Sequence, residues 1–193
     1  GATLKRLIHE RDRSLLKPFI EAGWALVRQG VRALTTTCGF MILFQEELAR
    51  EFPVPVFTSS LLQLPFIRAT LRPQDRLGII TADAAHLTPE HLRKAGGGMD
   101  RITVVGLENQ PRFREAIFEE TGGIDVPGVE SEVVEQVKRM LAADPRIAAI
   151  LFECANLPPY AAAVQTAVGL PVYDAVTMIR YVYSTFAAAP FNA

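Results

Sequence analysis

The chain contains two cysteines, Cys38 and Cys154, and each follows a short apolar run, Val31 to Thr37 before the first and Ile147 to Glu153 before the second. Two opposed thiols suit one reaction type. One thiolate removes a proton from a carbon acid while the other thiol delivers a proton to the opposite face, which inverts the stereocentre. A thiol where a strand ends and a helix begins meets the helix N-terminal amides, which is expected to lower its pKa and make thiolate available near neutrality. Backbone N–H groups at Gly39, Phe40, Ala155 and Asn156, with Thr36, Thr37 and the Asn156 side chain, are candidate donors to the charge that develops on a carboxylate or enolate. This chemistry calls for no metal and no cofactor. The plainer alternative for each cysteine is a small buried hydrophobe.

The spacing of the two cysteines favours chemistry over packing. They stand 116 residues apart, and seventeen residues beyond each comes a matching triplet, Pro55-Val56-Phe57 and Pro171-Val172-Tyr173. Both cysteines therefore occupy equivalent positions of an internal repeat. Two halves packed about a pseudo-twofold axis would face the two strand ends across one cleft, and both thiols would flank one ligand.

The elements that must position them alternate along the chain. Apolar residues at helical spacing predict a helix over 14–29, with Gly30 as its C-cap. Strand 31–37, helix 39–52, strand 54–58, helix 60–71, strand 76–82, helix 88–95 and strand 101–106 follow. Helices 111–120 and 126–143, strand 147–152, helix 158–168, strand 171–174 and helix 176–188 complete the series. Such alternation predicts a parallel α/β fold with ligands bound beyond the carboxyl ends of the strands. The expected organisation is two pseudo-symmetric α/β subdomains with the site between them, residues 1–74 plus 177–193 in one and 75–176 in the other. Gly96-Gly97-Gly98 and Thr121-Gly122-Gly123 read as turns, since neither has the spacing of a phosphate or dinucleotide loop.

The repeat also predicts a missing piece. In the second half, strands 76–82 and 101–106 precede the helix that matches 14–29, whereas almost nothing precedes that helix in the first half. The natural protein is expected to carry roughly 40 further N-terminal residues with at least one strand.

Bulk properties narrow the partners. Of the 193 residues, 49% are hydrophobic and 21% charged, ample for a packed core. Twenty basic and 21 acidic residues give a net charge of −1, with no long basic run to track nucleic acid or an anionic membrane. Two cysteines fit a reducing compartment, and a cytoplasmic location is expected. The expected partner is a small carboxylate or amide.

Other polar residues carry open alternatives. Asp83, at the end of strand 76–82, could bind a substrate amine, orient a cysteine or cap a turn. Thr58, Ser59 and Ser60 could donate to a carboxylate or cap helix 60–71. Glu153 could tune its neighbouring thiol or be buried and paired. His86 and His91 read as solvated, and His9 is uninformative.

The segments Thr35-Thr36-Thr37-Cys38-Gly39-Phe40, Leu77-Gly78-Ile79-Ile80-Thr81-Ala82-Asp83 and Phe152-Glu153-Cys154-Ala155-Asn156-Leu157-Pro158-Pro159-Tyr160 resemble the aspartate/glutamate racemase superfamily. The resemblance spans nearly the whole chain. It implies two α/β subdomains with Cys38 and Cys154 in the paired-cysteine positions, no cofactor, and the homodimer usual among relatives. Glutamate racemases carry Cys-Asn-Thr and Gly-Cys-Thr-His at these places. Here the Thr and His are absent, so glutamate specificity does not carry over. Cofactor-independent racemisation or epimerisation of a small amino acid or related carbon acid is the reading that results. Its rivals are maleate-type cis-trans isomerisation and a non-catalytic small-ligand-binding protein.

Overall fold

The computed structural model describes residues 3–119 and 123–188. Its centre is a pair of uninterrupted apolar strands, β3 (Arg76–Thr81) and β5 (Ile147–Phe152), each buried on both faces. Strands buried on both faces need cover on both sides, and helices supply it. With β4 (Ile102–Gly106) and β6 (Val172–Tyr173) they form a parallel four-stranded sheet of order β4-β3-β5-β6. The ladder aligns Ile80 with Phe152, so the carboxyl ends of β3 and β5 lie side by side.

One sheet face is covered by α6 (Val126–Ala143), which presents Val129, Val133, Val137 and Met140 at helical spacing to Ile80, Ile150 and Phe152. Each such buried side chain contributes about 2 kcal/mol. On the same side lie α5 (Pro111–Ile117) and α7 (Ala161–Val168), through Phe113 and Val164. The opposite face packs on α3 (Leu64–Thr70) and α4 (Pro89–Lys94) through Leu64, Ile67 and Leu92.

A second parallel sheet has two strands, β1 (Leu34–Thr35) and β2 (Val56–Phe57). Its own cluster joins Leu34 and Val56 to Phe44, Leu48 and Phe52, packed against α1 (Leu16–Val27) and α2 (Gln45–Glu51). The last helix, α8 (Ala175–Phe186), starts at Asp174, whose side chain accepts from the Thr177 N–H. The architecture is therefore α/β with parallel sheets.

Several boundaries differ from expectation. The anticipated strand 31–37 is paired only at 34–35, because β1 finds a ladder partner only where β2 runs beside it. Helix 39–52 opens as a 3₁₀ turn, Gly39–Phe44, before becoming α2. Helices 60–71 and 158–168 likewise open with 3₁₀ turns, Ser60–Gln63 and Pro158–Tyr160. Gly30 and Gly96 lie at φ 87° and 78°, as turn glycines do. Thr121 and Gly122 of the other anticipated turn lie outside the described residues, as do 189–193 and position 120 of the anticipated helix 111–120.

Candidate active site

The site grows from the two strand ends. Beyond β1 the backbone stays extended to Cys38 (φ −140°, ψ 118°) and then tightens into the 3₁₀ turn. The Met41 N–H of that turn donates to the Cys38 carbonyl at 3.0 Å, and the Phe40 and Met41 amides lie close enough to favour a Cys38 thiolate. Beyond β5, Glu153 extends the central ladder by donating its N–H to the Ile80 carbonyl at 2.8 Å. Cys154 follows, and the backbone and side chain of Asn156 favour its thiolate.

What draws the two strand ends together is the contact between Gly39 and Glu153. A Cβ on Gly39 would lie 2.1 Å from Glu153 Oε1 and 2.4 Å from the Glu153 carbonyl oxygen. Each partner sits next to a cysteine in sequence, so the close approach places Cys38 beside Cys154. Cys38 is half-buried and Cys154 buried, both as free thiols. A charge on Cys38 pushes the Cys154 pKa upward.

Glu153 is buried between these elements. Its Oε2 accepts from the Thr81 hydroxyl at 2.7 Å, while Oε1 has no hydrogen-bond partner among the described residues. Ser60 fixes the backbone beneath it, donating its hydroxyl to the Phe152 carbonyl at 2.7 Å and lying 3.3 Å from that of Glu153.

The electrostatics reverse one expectation. Burial, followed by the Glu153 charge, pushes the Cys38 thiol up to about 12, against the opposing pull of the Phe40 and Met41 amides. Burial and Glu153 push Cys154 upward as well. Desolvation outweighs the turn amides, so both thiols are neutral in the resting protein at neutral pH. Burial likewise raises the Glu153 carboxyl to about 7, partly offset by the Thr81 hydrogen bond.

The remaining candidates are largely engaged with the scaffold. Thr36 donates its hydroxyl to the Thr58 carbonyl at 2.6 Å, and Thr58 is buried with its N–H and hydroxyl on Gln45 Oε1. Ser59 accepts from the Leu61 N–H and caps the 3₁₀ turn at Ser60–Gln63. Phe40 is buried edge-on to His91. Thr37 and Asn156 are exposed, and Ala155 is half-buried. Gln45 and Thr81 emerge as positioning groups that sequence reasoning did not assign, and Ser60, expected to donate to a carboxylate or cap a helix, donates instead to the Phe152 carbonyl.

Asp83 is buried at the end of β3 and flanked by imidazoles. Its Oδ2 lies 2.8 Å from His86 Nδ1 and 3.2 Å from His9 Nε2. Burial raises its pKa, but His86 and His9 outweigh this and hold the carboxyl below its usual value. The donor atoms of these three residues lie within 4.8 Å of one another, the spacing from which a cation could be held. The histidines thus depart from expectation: His9 and His86 partner Asp83, and His91 is wholly buried rather than solvated. His91 turns inward because its Nδ1 accepts the Thr88 N–H at the start of α4.

Cavities of about 430 Å³ flank α8, one lined by Leu34, Thr35, Phe57 and Met178 and one by Phe66 and Tyr173. A smaller one of about 260 Å³ is lined by Phe113, Ala155, Asn156 and Tyr160. Neither thiol lines these three, so the chemistry is located by its functional groups and the smaller cavity adjoins it through Asn156. No helix among the described residues is long and apolar enough to cross a membrane.

The model of the family described as Asp/Glu/Hydantoin racemase matches residues 28–179. Among curated proteins, dimethylsulfoniopropionate lyase 7 of Emiliania huxleyi (strain CCMP1516) is 38% identical over 178 residues, covering 87% of this chain and 51% of its own length. Dimethylsulfoniopropionate lyase of Durusdinium sp. clade D is 32% identical over 167 residues, covering 84% and 55%. The chain thus spans about half the length of these curated relatives. Among solved structures, an aspartate racemase homologue from Pyrococcus horikoshii OT3 shares the fold, with a TM-score of 0.62 at 17% identity over 97% of this chain and 81% of that one.

Proposed function

The chain belongs to the Asp/Glu/hydantoin racemase family, and from that premise we propose that it removes the α-proton of a small β-substituted carboxylate and expels the substituent, with dimethylsulfoniopropionate as the substrate. The observation that carries this reading is the pairing of Cys38 with Cys154 across the Gly39–Glu153 contact, with neighbouring backbone amides that favour each thiolate. Proton abstraction from a carbon acid is common to racemisation and to β-elimination. The relatives named as lyases favour elimination as the outcome here.

Cys38, the more exposed thiol, is the base. Its thiolate forms an S–H bond with the α-proton, the C–H electrons become the carbon–carbon double bond, and the C–S electrons leave with sulfur. The products are acrylate and neutral dimethyl sulfide, with one proton released overall. A neutral leaving group needs no acid, so one base suffices for this step. The sulfonium charge of the bound substrate favours the Cys38 thiolate that the resting site disfavours. Amides such as that of Asn156 would receive the carboxylate as it gains enolate character.

Racemisation is the second reading, favoured by the retention of a second thiol coupled to the first. Incubation with dimethylsulfoniopropionate in D₂O, followed by proton NMR, separates the two. Acrylate and dimethyl sulfide support elimination. Deuterium incorporation at the α-carbon of an amino acid or hydantoin, without elimination, supports racemisation. Neither signal from folded, reduced protein would sink both.

A further inference from the structure

We propose that His9, Asp83 and His86 form a binding site for a divalent transition-metal ion of the zinc class, independent of which reaction the paired thiols run. Asp83 is buried at the carboxyl end of β3, and one of its oxygens, Oδ2, faces two imidazoles at once. His86 Nδ1 lies 2.8 Å from it and His9 Nε2 3.2 Å. The two rings lie against each other, with centroids 4.3 Å apart and planes 32° off parallel. One donor atom from each residue falls within 4.8 Å of the other two. Ligands about 2.1 Å from a tetrahedral ion stand about 3.4 Å apart, so these atoms are already near the spacing that an ion imposes.

The chain builds this cluster from two distant pieces. His86 belongs to the turn that leaves β3, where Asp83 Oδ1 accepts the His86 N–H at 3.2 Å and holds the i, i+3 geometry. His9 closes the π-helical turn Lys5–His9, 74 residues away in sequence. A buried carboxylate in need only of hydrogen-bond donors is already served by the ring and the backbone of His86. Bringing a second imidazole to the same oxygen gathers nitrogen donors around one point. Ile8, next to His9, is buried in the cluster that holds Phe40 and Ile42 of the turn after Cys38. An ion bound by His9 and Asp83 therefore pins to the end of β3 a segment that packs on the Cys38 turn.

Donor chemistry selects the ion. Two imidazole nitrogens and one carboxylate suit zinc and its first-row neighbours, whereas calcium and magnesium take oxygen ligands. The surrounding charge favours a cation as well. His9 and Asp83 line a cavity of about 300 Å³ that Glu108 shares, which adds a second carboxylate. The basic residues on its wall, Lys5 and Arg114, are paired with Glu10 at 3.5 Å and Glu119 at 2.9 Å. Three protein ligands leave a fourth position for water or Glu108. On binding, each ring nitrogen gives its lone pair to the ion, and the proton it shared with Asp83 passes to the ring's other nitrogen or to solvent.

Zinc and magnesium, each titrated calorimetrically into chelator-treated, reduced protein at neutral pH, test the site. One equivalent of zinc is expected to bind with a dissociation constant on the order of 1 μM or below, and magnesium is expected not to bind. His9→Gln and His86→Gln should each weaken zinc binding at least about tenfold, the loss that even an outer-shell partner causes. Both side chains are partly exposed, so neither substitution opens the core. The Cys38→Ser/Cys154→Ser variant, which removes the thiols as competing ligands, should keep the zinc affinity. Amide hydrogen exchange at residues 5–10 of the wild type should slow when zinc is added. No zinc binding by the folded protein, affinity undiminished in both histidine variants, binding lost with the thiols, or magnesium bound as tightly as zinc overturns the proposal. Should the histidine variants not fold, exchange in the wild type decides: rates at residues 5–10 that saturating zinc leaves unchanged show that His9 is no ligand, and the proposal falls.

Discussion

Gly39 and Glu153 touch so closely that a single methyl group at position 39 would fall 2.1 Å from a carboxyl oxygen and 2.4 Å from a backbone carbonyl. The glycine is required for its size, since the backbone around it is extended or helical rather than left-handed. Glu153 cannot retreat, because its N–H is in the β3–β5 ladder and its Oε2 is held by Thr81. Gly39→Ala should therefore push the Cys38 turn outward, costing about 1–3 kcal/mol in a urea titration. Turnover should fall by more than that stability loss explains, because the two thiols separate. Wild-type stability and turnover in this variant would show the contact to be slack.

Replacing each thiol with a hydroxyl tests the pairing itself. Cys38→Ser should lose about 10²- to 10⁴-fold in turnover with the fold intact by circular dichroism. Cys154→Ser discriminates the two readings. Racemisation needs both thiols and should collapse equally, whereas elimination through Cys38 should retain a measurable fraction of its rate.

Most of the fold was legible because β3, β5 and α6 declare themselves locally, through runs of apolar residues or apolar residues at helical spacing. The ends of β1 and β2 were not, since a strand is paired only where its neighbour runs beside it. The cysteines were legible through the repeat, which is a property of sequence. Their ionisation was not: burial depends on what packs above the turn, and it overrides the local amides that suggest a low pKa. The role of Thr81 escaped notice, and the backbone partner of Ser60 was not foreseen, for a related reason, as their partners lie 72 and 92 residues away.

Gln45 is a second distant support. Its Oε1 accepts both the N–H and the hydroxyl of buried Thr58, and its amide donates to the Val56 carbonyl at 2.9 Å. Gln45→Leu strands these groups and should destabilise the protein by about 2–4 kcal/mol. Gln45→Glu, which keeps the acceptor, should recover part of that loss near pH 5. Equal damage from both variants would point to packing instead of hydrogen bonding.

Glu153 should also shape stability against pH. Its folded pKa of about 7 lies above the 4.5 usual for a glutamate carboxyl. Between these pH values the folded protein holds a proton that the unfolded chain has lost, so stability falls as pH rises through the window and is level above it. The full contribution is on the order of 3 kcal/mol. Glu153→Gln should remove it, so that the variant gains on wild type from pH 4.5 to 7.

His91 works in the opposite direction, and the two must be separated by variants. Burial lowers its pKa from 6.5 to about 4, and its Nδ1 accepts the Thr88 N–H, which leaves the proton on Nε2, buried with no hydrogen-bond partner among the described residues. As pH falls from 6.5 towards 4, the unfolded chain takes up a proton that the folded protein refuses. Stability is therefore present above pH 6.5 and lost on acidification, again by an amount on the order of 3 kcal/mol. Because Glu153 gains over nearly the same window, wild-type stability should vary little between pH 4.5 and 6.5. His91→Asn keeps an acceptor for Thr88 but does not titrate, and exposes the Glu153 slope: this variant should grow more stable relative to wild type as pH falls. Urea midpoints at pH 7.5, 6 and 4.5 decide the matter, and a pH-independent difference between the two proteins would mean that His91 titrates as freely in the folded state as in the unfolded one.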